Sequence, residues 1–231
     1  MKKLLATAVG SILVIALSGC GADPTKSAEL SQVTIENSLL TPTDLPEMNL
    51  EATYFAGRKI PPLSDSFDPE NFEDVNFRKC TDVYSPIYLS PNYVPTAETW
   101  AWTVLYDQSS DARPLLVAEF LRIADPRYGQ LVEEVATNLA VCQDFMIGGE
   151  LVKVSSLDIG EFGDFTLAYN LSPNYEDYAE SEPNFTVVVI GYGTNYLTAL
   201  LNLDREFSVS KVAKIAEAMD SKFQKVAALQ K

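Results

Sequence analysis

The chain has no histidine among its 231 residues, so any chemistry falls to carboxylates, Ser, Tyr, Lys and three cysteines. Imidazole is the commonest general base and the commonest metal ligand, and every relay through His needs it, so those classes recede. Asp158, Glu161 and Asp164 stand at spacings that a glycosidase-like pair of carboxylates could use. In a chain with 32 acidic side chains such spacings arise by chance, and no enzyme is expected. The acidic runs 65–74 and 176–182 cluster oxygens as calcium requires, but neither has the Asp-x-Asp-x-Asp-Gly register. They read as solvated loops, and no metal or cofactor is expected. Gly191-Tyr192-Gly193 lacks the third glycine, the lysine and the following helix of a phosphate loop, and reads as a turn. The aromatics say more. Trp100, Trp102 and Tyr106 alternate along one stretch, with Tyr84, Tyr88 and Tyr93 just before it. Rings with a polar tip suit a binding cleft, which makes Trp100, Trp102 and Tyr106 the candidate ligand-binding residues; the alternative is that they are core.

The three cysteines divide by context. Met1-Lys2-Lys3 is a short basic start, residues 4–17 carry no charge, and Leu17-Ser18-Gly19-Cys20 looks like the lipobox of bacterial lipoproteins. Cys20 is therefore the expected lipidation site, with 1–19 a signal peptide and an acylated, cell-membrane-anchored chain facing the extracytoplasmic side. Two acyl chains anchor stably where one is marginal. Cleavage takes two of the 17 bases with it, leaving 15 against 32 acids in residues 20–231, a net charge of −17. That balance makes nucleic acid a poor partner and assigns membrane attachment to the lipid. Cys80 and Cys142 remain, and two cysteines in an exported domain suggest one disulfide, with buried free thiols and a redox pair as alternatives. Neither lies in a Cys-x-x-Cys motif.

Residues 20–38 read as lipidated cysteine and polar tether, and 39–231 as one domain. Thr41 as N-cap, Pro42 at the first helical position and Asp44 at the third predict one helical turn that Pro46 ends. Residues 61–97 lack a period. Alternation predicts a strand from Thr99, and 115–123 reads as its hairpin partner, with a helix begun by Asp111 and Pro114 as the alternative. A helix is expected over 128–143, carrying Leu131, Val135, Leu139 and Cys142 on one stripe. Strands follow at 151–154, 165–169, 185–190 and 196–203. A last helix, capped by Ser208 or Ser210, aligns Val212, Ile215, Ala216, Met219, Phe223 and Val226. The fold class is α+β, a single domain with a mainly antiparallel sheet, flanking helices and one disulfide.

The order of features is itself informative. A lipobox, a tether, the Leu39–Pro46 opening, a cysteine before an aromatic strand pair, Leu139-Ala140-Val141-Cys142, a Val-Val-Val-Ile hairpin and a C-terminal Ala/Lys helix follow one another. This arrangement resembles the extracellular sensor domain of actinobacterial transmembrane serine/threonine kinases and the stand-alone lipoproteins built on it. The resemblance implies a non-catalytic α+β domain with a cleft for an unknown ligand, and supplies no functional residues. The second cysteine pair that those domains often carry is absent. The expected partners are the membrane, through the lipid, and an unknown small molecule, lipid or envelope protein. Alternative roles are an envelope interaction partner or a carrier of a hydrophobic molecule. Cys20→Ser is expected to block acylation and the cleavage that depends on it. The mass of the mature chain from detergent-extracted membranes checks this, and an unchanged mass refutes the lipobox.

Overall fold

The computed structural model describes residues 30–48, 50–55, 97–107, 114–123, 126–147, 150–174, 184–203 and 208–229. They build an antiparallel eight-stranded sheet with helices against both faces. The order is β1 (Leu50–Phe55), β2 (Ala97–Asp107), β3 (Pro114–Ile123), β8 (Asn195–Leu203), β7 (Asn184–Tyr192), β6 (Phe165–Asn174), β5 (Glu150–Ser156) and β4 (Asp144–Ile147). Two meanders, β1–β3 and β4–β8, join where β3 pairs with β8. The chain leaves β3 in the middle of the sheet and returns at the far edge. The helix α2 (Pro126–Leu139) makes that crossing and packs on β5.

β7 lies at the centre because its β-branched run can be buried on both sides. Val188, Ile190 and Tyr192 join one core, while Val187 and Val189 join the other. The first core lies beneath α1 (Gln32–Ser38) and α3 (Val209–Ala228). It gathers Leu30, Ile35 and Leu39 with Leu105, Leu197, Leu201, Ile215 and Phe223. The second lies beneath α2, where Val132, Val135 and Leu139 meet Val152, Val154, Leu167 and Tyr169. Each fully buried aliphatic side chain contributes about 1.5–3 kcal/mol, so β7 and its neighbours supply much of the fold's stability. Gly193 takes φ 58° at the two-residue β7–β8 turn, a backbone conformation that a β-carbon opposes.

Several expectations are met. The turn at Pro42–Asp44 is a single 3-10 turn, β3 is a strand, and α3 buries Val212, Ile215, Ala216, Met219 and Phe223. Others are corrected. The tether does not run through Ser38. Leu30 is 2% exposed and Ile35 0%, and α1 follows an N-cap at Ser31, whose hydroxyl accepts from the Thr34 N–H at 3.2 Å. Seven residues are too few to display a period, so a buried helix reads locally as a polar linker. The 128–143 helix ends at Leu139, leaving Cys142 just past it, where its N–H donates to the Asn138 carbonyl. Cys142 is nevertheless fully buried in the α2 core and is disulfide-bonded, its partner lying outside the described residues. β1 and β4, both edge strands, had no period to reveal them.

One ion pair ties the two ends of the domain together. Asp44 Oδ2 accepts from the Thr41 N–H at 2.7 Å, the Thr41 hydroxyl at 2.6 Å and Lys222 Nζ of α3 at 2.5 Å. Burial opposes ionisation of this carboxyl, but the Lys222 and Thr41 hydrogen bonds outweigh it and hold its pKa below the ordinary carboxylate value. A depressed folded pKa gives stability that is present above about pH 4 and lost as pH falls through the folded value. Asp44→Asn is therefore expected to cost about 1–3 kcal/mol at neutral pH, with the penalty shrinking below about pH 4. Denaturant unfolding of both proteins at neutral and acid pH measures it.

Candidate functional site

The candidate aromatics belong to β2, and strand register fixes their neighbours. Trp102 stands between Phe55 of β1 and Glu119 of β3, Trp100 opposite Leu121, and Tyr106 between Glu51 and Pro114. Two-residue spacing puts Trp100, Trp102, Val104 and Tyr106 on one face of β2. That face is not the one packed against α1 and α3, since Ala101 and Leu105, of opposite parity, join that core. Register runs from Val104 through Val117 and Leu200 to Val187 of the α2 core. The aromatic row and the Cys142 core thus share a sheet face and occupy opposite halves of it.

The two halves differ. The α2 cluster draws its sheet residues from β5 to β8 and includes no described side chain of β1, β2 or β3. On the β2 half, Val104 is 6% exposed and Tyr106 is half-buried. Strand parity thus puts positions 100, 102 and 106 on one face of β2, in register with positions 51 and 119, and of the three aromatic side chains that of Tyr106 is among the described ones. An aromatic row bordered by acids has the chemistry to stack on a flat or cationic ligand. Cys20, Cys80 and the acidic runs 65–74 and 176–182 lie outside the described residues.

Two of the three carboxylates considered for catalysis, Asp158 and Asp164, have structural partners. Asp158 Oδ1 accepts from the Gly160 N–H at 3.3 Å, and Asp164 Oδ2 accepts from the Gly193 N–H at 3.1 Å. These bonds shape the loop 157–164 between β5 and β6 and fasten it to the β7–β8 turn. Gly163 is confined there: its φ is 61°, and a β-carbon would stand 2.5 Å from the Gly191 carbonyl oxygen.

Sequence reasoning missed a polar cluster beside this loop. Gln224 Nε2 of α3 donates to Asp220 Oδ2 at 3.0 Å and lies 3.4 Å from the Tyr192 hydroxyl. The Tyr192 ring packs on Phe223 at a centroid distance of 4.7 Å. Asp220 Oδ1 is buried with no hydrogen-bond partner among the described residues. Burial raises the Asp220 carboxyl above its ordinary value, and the hydrogen bonds from Gln224 and the Gly163 N–H offset only part of that. The available signal was an acid on the inner flank of an amphipathic helix. On the other face, burial and then the Glu133 carboxylate raise the Tyr196 phenol, keeping it a neutral hydroxyl. No protein-family model matches the chain, and no curated protein matches it either.

The Asp220 cluster makes a prediction of opposite sign to that for Asp44. A raised folded pKa for an acid means that ionisation lowers stability as pH rises through it. Asp220→Asn, with the Gln224 amide turned to present its carbonyl, is expected to raise the thermal midpoint at neutral pH by a few degrees. The gain should vanish below about pH 4, where the wild-type carboxyl is also neutral. Thermal unfolding across that range checks it, and a lower midpoint for the variant at neutral pH would contradict it.

Proposed function

We propose that this chain is a lipid-anchored extracytoplasmic lipoprotein whose single sensor-like α+β domain binds a ligand and performs no catalysis. The observation that carries the reading is the disulfide at Cys142, taken with the lipobox at Cys20. Structural disulfides persist in oxidising compartments, and an exported chain is one that reaches them. With Cys20 committed to lipid, Cys80 is the partner for Cys142, and the bridge closes a loop of about 60 residues, worth about 4 kcal/mol in the chain-entropy account. The likeness to kinase sensor domains belongs to the same reading, which expects an α+β domain such as this antiparallel sheet with its helices.

The ligand is assigned to the β2 half of the sheet face, where Trp100, Trp102 and Tyr106 line up. This site has an unusually direct reporter, because Trp100 and Trp102 are the only tryptophans in the chain. Intrinsic fluorescence of the purified full-length protein, titrated with fractionated envelope extracts, is expected to change saturably with at least one fraction. Trp102→Ala, read through the remaining Trp100, should raise the concentration at half-saturation by about threefold to tenfold, the loss of a stacked aromatic being worth about 0.5–1.5 kcal/mol. If no fraction gives a saturable change, the binding role fails. If lipids co-purify in native mass spectra, the site is that of a hydrophobic carrier.

A further inference from the structure

The acidic balance of this chain hides a local exception. Mature residues 20–231 carry −17, yet α3 alone has four lysines, Lys211, Lys214, Lys222 and Lys225, against two acids, Glu217 and Asp220. At 100° per residue the four lysines fall within an arc of about 80° on the helix. Asp220 lies on the other flank, toward Gly163 and Gln224. Lys214 and Lys225 are exposed, Lys211 is half-buried, and Lys222 is engaged by Asp44.

That stripe lies on the side of α3 where the N-terminal segment packs. Lys222 reaches Asp44 in the turn after α1, and α1 itself contacts α3. Leu30, at the foot of α1, is buried in the same core as Val212, Ile215 and Phe223. Ten residues separate Cys20 from Leu30, so a lipid on Cys20 holds this side within about 35 Å of the bilayer even with that chain fully extended. A freely coiled segment of that length would average about 18 Å. Screening limits charge effects to about 8 Å at physiological ionic strength. The segment packed here also brings Glu36, Asp44 and Glu47, and Asp44 is spent on Lys222, so the positive charge that a bilayer meets on α3 rests on Lys211, Lys214 and Lys225.

We propose that the lysine stripe of α3 is the membrane-facing surface of the domain and that it docks on anionic phospholipid headgroups. The inference rests on the lipid anchoring proposed above. The lipid supplies attachment, the lysines supply orientation, and the aromatic face of β2, on the opposite side of the sheet, turns away from the bilayer. Each lysine near an anionic surface adds about fivefold to the docked population at low salt.

The test uses the full acylated protein in vesicles of phosphatidylcholine, with and without about a third phosphatidylglycerol. A membrane-impermeant amine-reactive ester is applied, and modification of each lysine is read by mass spectrometry. Lys214 and Lys225 are expected to react about fivefold or more slowly in the anionic vesicles, and the protection should disappear at high salt. In a Lys214→Glu/Lys225→Glu variant, whose exposed side chains can change without disturbing the core, Lys211 should lose any dependence on lipid composition. The same spectra report the acyl mass. A mature chain without it overturns the anchoring and this inference together. An acylated chain whose Lys214 and Lys225 react equally in both vesicle types overturns the docking surface alone.

Discussion

Burial of the β7–β8 pair on both faces is the constraint on which the remaining structure depends. From Thr186 to Tyr192 every residue of β7 is buried, alternate side chains joining two separate cores. A sheet that is apolar on both sides at its centre needs a helical layer over each face. α3 and α1 supply one, and α2 supplies the other. A one-residue slip in this hairpin would exchange the contents of the two cores, so its register is fixed by everything that packs above and below it.

The route of the chain follows from the same requirement. β3 ends in the middle of the sheet and β4 begins at its far edge, so the connection must cross, and α2 uses the crossing to cover the β5–β8 half of one face. Cys142 enters that core just after α2 ends. Its disulfide lies at a point where the backbone has left regular structure. The β2 half of the same face carries the aromatic row. Packing against α2 is thereby confined to one half of that surface, and the candidate aromatic positions lie on the other.

On the other face, α1 and α3 meet the sheet side by side, and the two acids nearest their boundaries show how environment sets a carboxyl's role. Asp44 has three donors on one oxygen and a cation among them, and it ionises more readily than usual. Asp220 has one side-chain donor, no cation and one unpartnered oxygen, and it ionises less readily. The first stabilises the domain as a carboxylate. The second does so as a carboxylic acid. Similar side chains on neighbouring segments thus pull stability in opposite directions as pH changes.

Elements whose signal is local and periodic are legible in the order of residues alone. These are the β-branched run of β7, its return in β8, the apolar stripe of α3, the turn begun by Thr41 and Pro42, and the alternation of Trp100, Trp102 and Tyr106. Each arises from steric or hydrogen-bonding preferences within a few residues. Long-range packing settled that residues 32–38 are a buried helix, that β1 and β4 exist, and that the two meanders join through β3 and β8. The same is true of the choice of Asp44, among 32 acids, to receive a lysine 178 positions away. Short elements and long-range pairs have no period to read, because their free energy comes from surfaces that meet only when distant segments are already in place.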